Sequence, residues 1–464
     1  MHIKFGTDGW RDVIARNFTF SNVRIVANSV AKYINTYHKE NPVLIVGYDT
    51  RFLAEHFARE VVSVLNANNI EVFLTNRETP TPVTAFSVLV KKASGAIMLT
   101  ASHNPPEYLG IKFIPWYAGP ATPDITSKIE EFIDENSPIP ETTRELVEIF
   151  DPMPEYISEI KKIINFQKVK EAQLKLVINP LYGTGRGYLE NLLNDIAKEI
   201  IVINNYRDCL FGGGMPEPAE EFLNEQKRIL LENEYDLGLA LDGDADRFGV
   251  LDRDGSYINP NELISLLLYH LVKNKSYTGK VVRTVATTHL IDLIAEKLGV
   301  EVIEVPVGFK YVGKQMREQE IIIGGEESGG ISIKGHIPEK DGILADMLAV
   351  EMVAYEKKSL RDCLKEIFSE VGEVYTKRIN LKISENENKQ KIIDYFKNDP
   401  PKLEGKSCEE INTMDGVKCI YEKNLWFMVR PSGTEPVIRV YIEAQSKEVL
   451  KNIEETVLDI INSI

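Results

Sequence analysis

The chain has 464 residues, which is too long for one hydrophobic core, so we expect three or four domains. Hydrophobic residues make up 43% and charged residues 27%, a globular composition that excludes a disordered chain. The 54 lysines and arginines against 70 aspartates and glutamates give a net charge of −16, which disfavours nucleic acid and anionic membranes as partners. An anionic ligand therefore needs a local cluster of cations.

The segment MHIKFGTDGWRD lacks the apolar region of a signal peptide. The longest apolar run, 263–272, contains His270 and is too short to span a bilayer. The four cysteines are scattered and show neither a disulfide framework nor a metal-binding pair. These features predict a reduced, cytoplasmic protein.

Short β-branched runs alternate with amphipathic helical stretches along most of the chain. The predicted strands span 43–49, 70–75, 95–102, 174–180, 199–205, 236–242, 280–288 and 301–308. Several are apolar at nearly every position, which is typical of strands buried on both faces of a parallel or mixed sheet. The pattern restarts after 151–154 and 252–255 and changes character near 372. We therefore predict three similar α/β domains and a C-terminal α+β domain, with boundaries at 1–152, 153–254, 255–371 and 372–464.

The first chemical motif, TASHNPP (100–106), follows the apolar run GAIML. Pro105 and Pro106 prevent a helix from starting at once and predict a rigid loop at the carboxyl end of a strand, where α/β folds bind ligands. We expect Ser102 to be displayed on this loop rather than packed. A hydrolase elbow is excluded because Thr100 and Asn104 stand where it needs glycine. Taken alone, the motif also fits a plain polar turn.

The second motif, LDGDADR (241–247), places aspartates at alternate positions after an apolar strand. Oxygen ligands that converge in this way favour a hard cation such as Mg²⁺. An EF-hand is excluded because Arg247 and Arg253 occupy the positions of its glycine and glutamate. Three carboxylates leave room for a phosphoryl oxygen, as a catalytic metal requires. The alternative is an acidic turn with Arg247 as counter-ion.

Two further loops carry polar groups that suit a phosphosugar. GGEESGG (324–330) joins flexible backbone with carboxylates and a hydroxyl, which suits sugar hydroxyl groups, although glycine-rich turns are common. RPSGTEP (430–436), with Arg439 in the following strand, offers backbone N–H groups, hydroxyls and guanidinium groups for a phosphate. The alternative for this last loop is a tight capped turn with Arg430 in solvent.

Five segments, taken in order along the chain, resemble the α-D-phosphohexomutase superfamily, specifically its bacterial and archaeal phosphoglucomutase/phosphomannomutase branch. They are FGTDGWRDVI (5–14), TASHNPPEYLGIKF (100–113), ALDGDADRFGV (240–250), GEESGG (325–330) and RPSGTEPVIRVYIEA (430–444). The resemblance implies three α/β domains with mixed sheets and a C-terminal α+β lid domain around a central cleft. It also implies a phosphosugar substrate, Mg²⁺, and a hexose 1,6-bisphosphate as intermediate and activator.

By motif position, the resemblance implies that Ser102 is phosphorylated and that Mg²⁺ is held by Ser102, Asp242, Asp244 and Asp246. Lys112 matches the lysine proposed for proton transfer in the family. Active-site arginines correspond to Arg11 and Arg247. The predicted substrate contacts are His103, Lys310, Glu326, Ser328, Arg430, Ser432, Gly433, Thr434 and Arg439.

One position departs from the pattern of many family members, which end the sugar loop with histidine where this chain has Gly330. His336, in GHIPEKDG, is a candidate substitute for that histidine in substrate binding, although loop histidines are often structural. Lys340, in the same loop, is a second candidate.

Charge counting supports the need for cations. A phosphoserine of about −2 and three aspartates against Mg²⁺ leave roughly −3 before a phosphosugar binds. Arg11, Lys112 and Arg247 would supply local positive charge. We expect neighbouring cations to lower the pKa of Lys112 enough for it to accept a proton.

The sequence thus predicts an intramolecular phosphotransferase that interconverts hexose 1-phosphate and hexose 6-phosphate, with glucose as the favoured sugar. Mannose and glucosamine phosphates remain alternatives within the family. A haloacid-dehalogenase-like phosphatase with Asp242 as nucleophile is a rival, but it normally has Thr or Val where Asp246 stands. A non-catalytic module that binds sugar phosphates is the third possibility.

Overall fold

The computed structural model describes residues 3–5, 9–38, 41–134, 139, 146–382, 389–431 and 437–464. The chain divides into two compact units. The first comprises Met1–Pro260, Phe309–Gln319 and Ser328–Leu360, and the second comprises Asn261–Gly308, Glu320–Glu327 and Arg361–Ile464.

The first sheet is mixed and has the strand order β1-β5-β4-β2-β3-β6. Its region runs β1 (Trp10–Val13), α1 (Phe20–Tyr37), β2 (Val43–Tyr48), α2 (Ala54–Ala67), β3 (Glu71–Thr75), α3 (Thr81–Lys91), β4 (Gly95–Leu99), β5 (Tyr108–Pro115), α4 (Pro123–Glu131) and β6 (Val147–Phe150). Strands β2, β3, β4 and β6 are parallel, whereas β5 returns antiparallel to β4 and β1 pairs antiparallel with β5. Apolar clusters cover both faces, so β4 is buried at every position.

The second sheet repeats this arrangement with the order β11-β10-β9-β7-β8. Its region runs α5 (Met153–Ile163), α6 (Phe166–Ala172), β7 (Lys175–Asn179), α7 (Tyr188–Leu193), β8 (Glu199–Val202), α8 (Asn224–Glu232), β9 (Leu237–Leu241), β10 (Phe248–Asp252) and β11 (Tyr257–Ile258). Here β7, β8 and β9 are parallel, and β10 returns antiparallel to β9.

The third region contributes to both units. It runs α9 (Pro260–Lys273), β12 (Lys280–Thr284), α10 (Leu290–Leu298), β13 (Val302–Val305), α11 (Phe309–Glu318), β14 (Ile321–Gly325), β15 (Ile331–Ile333), α12 (Gly342–Glu356) and α13 (Leu360–Val371). In the second unit, β13, β12 and β14 form a parallel sheet in that order. In the first unit, the buried helix α12 packs against β9 and β10.

The C-terminal region builds an antiparallel sheet of order β16-β20-β19-β18-β17. It runs β16 (Tyr375–Lys382), α14 (Lys389–Asn398), β17 (Glu410–Asn412), β18 (Val417–Glu422), β19 (Leu425–Pro431), β20 (Val437–Ala444) and α15 (Lys447–Ser463). One face of this sheet packs with α14 and α15 in an apolar cluster. This is the predicted α+β domain.

Every predicted strand corresponds to a strand of the structure, from β2 to β13, and the α/β fold class with mixed sheets is confirmed. The antiparallel return strands β5 and β10 were not among the predicted strands. Within the described ranges, no helix is both long and apolar enough to cross a membrane.

Candidate active site

Two chemical loops occupy the same topological position in the two mixed sheets. The loop that contains Ser102 joins β4 to β5, and the aspartate loop joins β9 to β10. In each case the chain leaves the carboxyl end of a buried parallel strand and returns antiparallel beside it. Carboxyl ends of strands are where open α/β sheets bind ligands.

Ser102 is buried, with 2% of its surface exposed, so the expectation that the loop displays it was wrong. Its Oγ donates to Oδ2 of Asp242 at 2.9 Å, which explains the burial, because the aspartate loop covers the serine. The backbone of Ser102 is left-handed, with φ at 50°. This conformation costs a non-glycine residue about 1 kcal/mol or more and needs support from the surroundings.

Asp242, Asp244 and Asp246 form a fully buried cluster whose nearest ligand atoms lie within 4.8 Å of one another. The Oδ1 atoms of Asp244 and Asp246 are buried and have no hydrogen-bond partner among the described residues. Burial and the charges of the other two carboxylates raise the pKa of Asp242 well above its usual range. A hard divalent cation fits this set, because it would use the unpartnered oxygens and offset the repulsion.

Two lysine ammonium groups enter the same cluster. Nζ of Lys112, in β5, lies 2.9 Å from Oδ2 of Asp244 and 3.2 Å from Oδ2 of Asp246. Nζ of Lys340 lies 2.8 Å from the same Oδ2 of Asp246. Burial by itself would lower the pKa of Lys112, but Asp244 and Asp246 outweigh it and raise the pKa. The prediction that neighbouring cations lower the pKa of Lys112 was therefore wrong for this structure.

Burial would raise the pKa of Asp246, yet Lys340, Lys112 and Arg247 together hold it far below its usual range. The pKa of Asp244 is also lowered: burial and Asp246 oppose the shift, and Lys112 with a hydrogen bond from Thr81 produces it. The neighbouring lysines and Arg247 thus keep Asp244 and Asp246 ionised.

Gly330 makes room for Lys340. A Cβ atom at position 330 would lie 2.4 Å from Cδ and 2.6 Å from Cγ of Lys340. The space in which a side chain at position 330 would lie is therefore filled by the stem of Lys340, whose ammonium pairs with Asp246. Of the two candidate substitutes, Lys340 reaches the cluster.

The side chain of His336 is buried away from solvent. Its Nε2 lies 2.8 Å from Oδ2 of Asp341, which also accepts from the hydroxyl of Tyr156 at 2.7 Å. Oδ1 of Asp341 accepts from the backbone N–H of Leu344 and caps the start of α12. These contacts give His336 a structural position, so the predicted substrate contact is not supported.

The predicted arginines and His103 surround Ser102. Nη1 of Arg11, in β1, donates to Oδ1 of Asn104 at 2.8 Å, and Gly110 opposite leaves space for the arginine stem. The backbone N–H of Arg247 donates to Oδ1 of Asp242, and its Nε lies 4.0 Å from Oδ1 of Asp246. Nδ1 of His103 lies 3.4 Å from Oγ of Ser102. Burial, Arg247 and Arg11 lower the pKa of His103, so its ring is neutral.

The remaining predicted contacts lie on other elements. Lys310, at the start of α11, and Ser328 are half-buried in the first unit. In the second unit, Oε1 of Glu326 accepts from the backbone N–H of Gly308 at 2.9 Å. Ser432, Gly433 and Thr434 lie outside the described residues.

Arg430 and Arg439 stand directly opposite each other on β19 and β20, so both side chains leave the same face of the sheet. Nε of Arg430 also lies 2.9 Å from Oδ2 of Asp415. Two guanidinium groups on one face of a sheet can offer paired N–H donors to a phosphate, which makes this pair a candidate phosphate site.

Two residues escaped the sequence analysis. Thr81, the first residue of α3, donates from Oγ1 to Oδ2 of Asp244 at 2.6 Å. Arg51, which follows β2, is completely buried beneath the Ser102 loop. The signal available for Arg51 was its position, since the segment Asp49–Arg51 follows an apolar strand that is parallel to β4.

Four family models match the chain in consecutive order. They describe the α/β/α domains I, II and III of phosphoglucomutase/phosphomannomutase, at residues 2–139, 154–255 and 259–371, and the C-terminal domain at residues 379–460. The matches together span nearly the whole chain.

Individual relatives are similar over the same length. A protein of Pyrococcus furiosus described as a probable phosphoglucosamine mutase is 32% identical, over 96% of this chain and 94% of its own. A phosphoglucomutase/phosphomannomutase of Thermococcus kodakarensis is 29% identical, over 96% and 95%. The crystal structure of a Thermus thermophilus protein described as a phosphomannomutase superposes with a TM-score of 0.88 at 33% identity, covering 99% of each chain.

Proposed function

The chain belongs to the phosphoglucomutase/phosphomannomutase family of α-D-phosphohexomutases, which are intramolecular phosphotransferases, and we propose that it interconverts hexose 1-phosphates and hexose 6-phosphates through a phosphorylated Ser102. Glucose phosphates are the proposed preferred substrates. The domain boundaries at 1–152, 153–254, 255–371 and 372–464 are part of the same proposal. Family membership decides against the phosphatase and the non-catalytic alternatives.

One observation carries the proposal: Oγ of Ser102 lies 2.9 Å from Oδ2 of Asp242, inside the cluster of three buried carboxylates. A serine hydroxyl in that position can bear a phosphoryl group whose oxygen completes the ligand set of a cation. Asp242, Asp244 and Asp246 would hold Mg²⁺ there. When bound, the ion would neutralise charge on the transferring phosphoryl group.

The chain's own residues supply the rest of the chemistry. In the forward step, the bond between phosphorus and Oγ of Ser102 breaks, a bond to the free sugar hydroxyl forms, and that hydroxyl gives up its proton. Arg11 and Arg247 provide fixed positive charge beside Ser102, which a phosphoryl group needs because its transfer depends mainly on positioning and electrostatics. Lys112 is the proposed proton acceptor on motif position alone; the role requires its neutral amine, whereas, against the effect of burial, Asp244 and Asp246 raise the pKa of Lys112 in this arrangement and favour the ammonium.

The resulting hexose 1,6-bisphosphate must turn round and return its other phosphate to Ser102. The opposed pair Arg430 and Arg439 is the proposed site for the phosphate that is not reacting. A site built from guanidinium groups recognises a phosphate through two parallel N–H donors, whichever carbon carries it. It can therefore hold the sugar in both orientations.

Glucosamine phosphate is the second candidate substrate. The relative from Pyrococcus furiosus is described as acting on it, and the loop 325–330 carries Glu326 and Glu327, whose carboxylates suit a charged amino group. Turnover compared on glucose 1-phosphate, mannose 1-phosphate and glucosamine 1-phosphate tests the preference. A kcat/KM for glucosamine 1-phosphate above that for glucose 1-phosphate would overturn the glucose assignment.

Ser102→Ala tests the central step. We expect kcat to fall about 10³-fold or more, because the variant has no group to carry phosphate. The matched control is Ser87→Ala, a buried serine of α3 whose hydroxyl bonds only to the carbonyl of Val83 in the hydrogen bonds described. Intact mass of the purified enzyme should show one phosphate, and peptide mapping should place it on Ser102. Near-normal turnover of Ser102→Ala would contradict the proposal.

A further inference from the structure

Arg51 is completely buried directly beneath the loop that carries Ser102. Its Nε donates to Oδ2 of Asp49 at 3.0 Å. Its Nη1 donates to the carbonyls of Pro105 and Tyr108 at 2.6 and 3.0 Å. Its Nη2 donates to the carbonyls of Ser102 and Asn104 at 2.7 and 2.6 Å. These five bonds engage all five N–H donors that a guanidinium possesses.

The acceptors are four carbonyls between residues 102 and 108, so one side chain fixes the path of the whole loop. The guanidinium carbon also lies 5.0 Å from the ring centroid of Phe211, a cation–π contact. A planar fork can serve four backbone acceptors at once, whereas a lysine has only three donors on one nitrogen.

Asp49 links Arg51 to the backbone N–H of Ser102 through Thr100. Its carboxylate accepts from the backbone N–H and Nε of Arg51 and from the hydroxyl of Thr100. Oγ1 of Thr100 in turn accepts from the backbone N–H of Ser102 at 2.9 Å. Both backbone polar groups of Ser102 are therefore tied to Asp49 and Arg51, one through Thr100 and the other directly.

We infer that Arg51, paired with Asp49, is a positioning residue that holds Ser102 in its left-handed conformation, with Oγ directed at Asp242. The inference rests on the proposed function of Ser102. A left-handed serine is strained and persists only where its surroundings support it, and the bonds to its N–H and carbonyl supply such support. Arg51 contacts no reacting atom in this arrangement, so it acts through the loop.

Arg51→Lys is the direct test, because it keeps the positive charge and removes the planar guanidinium with its five N–H donors. We expect kcat to fall about 100-fold while KM changes less than about threefold, since a displacement of the reacting group of about 1 Å has an effect of that size. The rate at which hexose 1,6-bisphosphate phosphorylates Ser102 should fall in parallel. Mn²⁺ binding should change less than about threefold, because three of the four proposed ligands, the aspartates, lie on another loop.

Arg283→Lys is the matched control. Arg283 is a buried arginine of the second unit, ion-paired to Asp292 and Glu304, so the same substitution should lower the melting temperature but leave kcat of the folded protein within about threefold. If Arg51→Lys keeps kcat within that range, or loses activity only in proportion to its folded fraction, the inference is wrong.

Asp49→Asn provides a second variant in case Arg51→Lys does not fold. The amide turns one acceptor into a donor that faces the guanidinium, and we expect kcat to fall about tenfold or more. Normal kcat in this variant would also overturn the inference. Failure of the proposed function can be told apart from failure of this inference, because it would appear as an inactive unsubstituted enzyme or as an active Ser102→Ala variant.

Discussion

The buried aspartates depend on side chains that come from distant parts of the chain. Lys340 reaches Asp246 because Gly330 leaves its stem room, and Thr81 bonds to Asp244 from the start of α3. Each contact satisfies one carboxylate oxygen and leaves the other, Oδ1, without a hydrogen bond among the described residues. The cluster is therefore oriented before any cation binds, as hydrogen bonds to metal-binding carboxylates generally achieve.

Thr81→Val should weaken the cation site without disturbing the fold. The substitution removes the 2.6 Å hydrogen bond to Oδ2 of Asp244, and we expect the Mg²⁺ concentration for half-maximal activity to rise about tenfold. Thr84→Val is the control, because Thr84 lies one turn along α3 and is equally buried, and its described hydroxyl contact is the Met98 sulfur at 3.7 Å. Equal Mg²⁺ dependence in the two variants would contradict the prediction.

At the scale of elements, the chemical loops recur because the sheets recur. The Ser102 loop and the aspartate loop each connect a parallel strand of a mixed sheet to the antiparallel strand beside it. GEESGG likewise follows the parallel strand β14. Loops at equivalent positions project from the same end of their sheets, so repetition of one topology presents several polar loops in a similar way.

The pair of Arg430 on β19 and Arg439 on β20 leads to a prediction about substrate binding. Arg439→Gln should raise KM about tenfold with a smaller change in kcat, because the lost interaction binds ground state and transition state alike.

Lys377→Gln is the control for that prediction. It removes the same charge from the opposite face of this sheet, where Lys377 pairs with Glu454. We expect its KM to be unchanged. A KM for Arg439→Gln that equals the KM of this control would show that the hairpin does not bind the phosphate.

At the largest scale, the third region and the C-terminal sheet pack against each other within the second unit. The sheet face opposite α14 and α15 packs Trp426, Met428 and Tyr441 against Val285 and Ala286. A polar network borders this patch. In it, Nζ of the fully buried Lys418 lies 2.8 Å from the carbonyl of Val285, 2.7 Å from Nε2 of His289, and 4.0 Å from the ring centroid of Trp426.

The protonation of this network follows from its geometry. Burial and Lys418 lower the pKa of His289, so its ring is neutral; Nδ1 donates to the carbonyl of Lys423, and Nε2 accepts from Lys418. Burial raises the pKa of Glu443 to about 7, although Thr288, Trp426 and the His289 N–H donate to it. Burial and Arg283 lower the pKa of Lys418 to about 7.

Lys418→Met should change how stability depends on pH. A lysine whose pKa is lower in the folded state than the unfolded value of about 10.4 binds fewer protons when folded, so the free energy of unfolding rises with pH between about 7 and 10. The unsubstituted protein should therefore gain stability relative to Lys418→Met across that range. Thermal unfolding at several pH values measures this difference.

The control for the pH experiment is Lys406→Met, at an exposed lysine of the same unit that pairs with Glu422. Its stability should follow that of the unsubstituted protein at every pH. Parallel pH profiles for Lys418→Met and the unsubstituted protein would show that Lys418 is protonated when buried.

Local sequence was sufficient for most of the parallel strands and for the residue types of the candidate site. Apolar runs located the strands to within a few residues, because burial on both faces leaves an unmistakable composition. The prediction for 95–102 ran past the end of β4 at Leu99, since hydroxyl and small residues do not mark where pairing stops. The return strands β5 and β10 follow the two motifs, and no strand was predicted for these segments.

The sequence by itself determined the family and the fold class, and it predicted the serine and the three aspartates that the structure brings together, because these depend on short motifs whose spacing along the chain is characteristic. The tertiary structure decided that Ser102 is buried, that Lys340 rather than His336 reaches Asp246, and that Arg51 holds the serine loop. Those contacts join residues far apart along the chain. Packing of sheets and helices brings them together, and no local pattern records which side chains will meet.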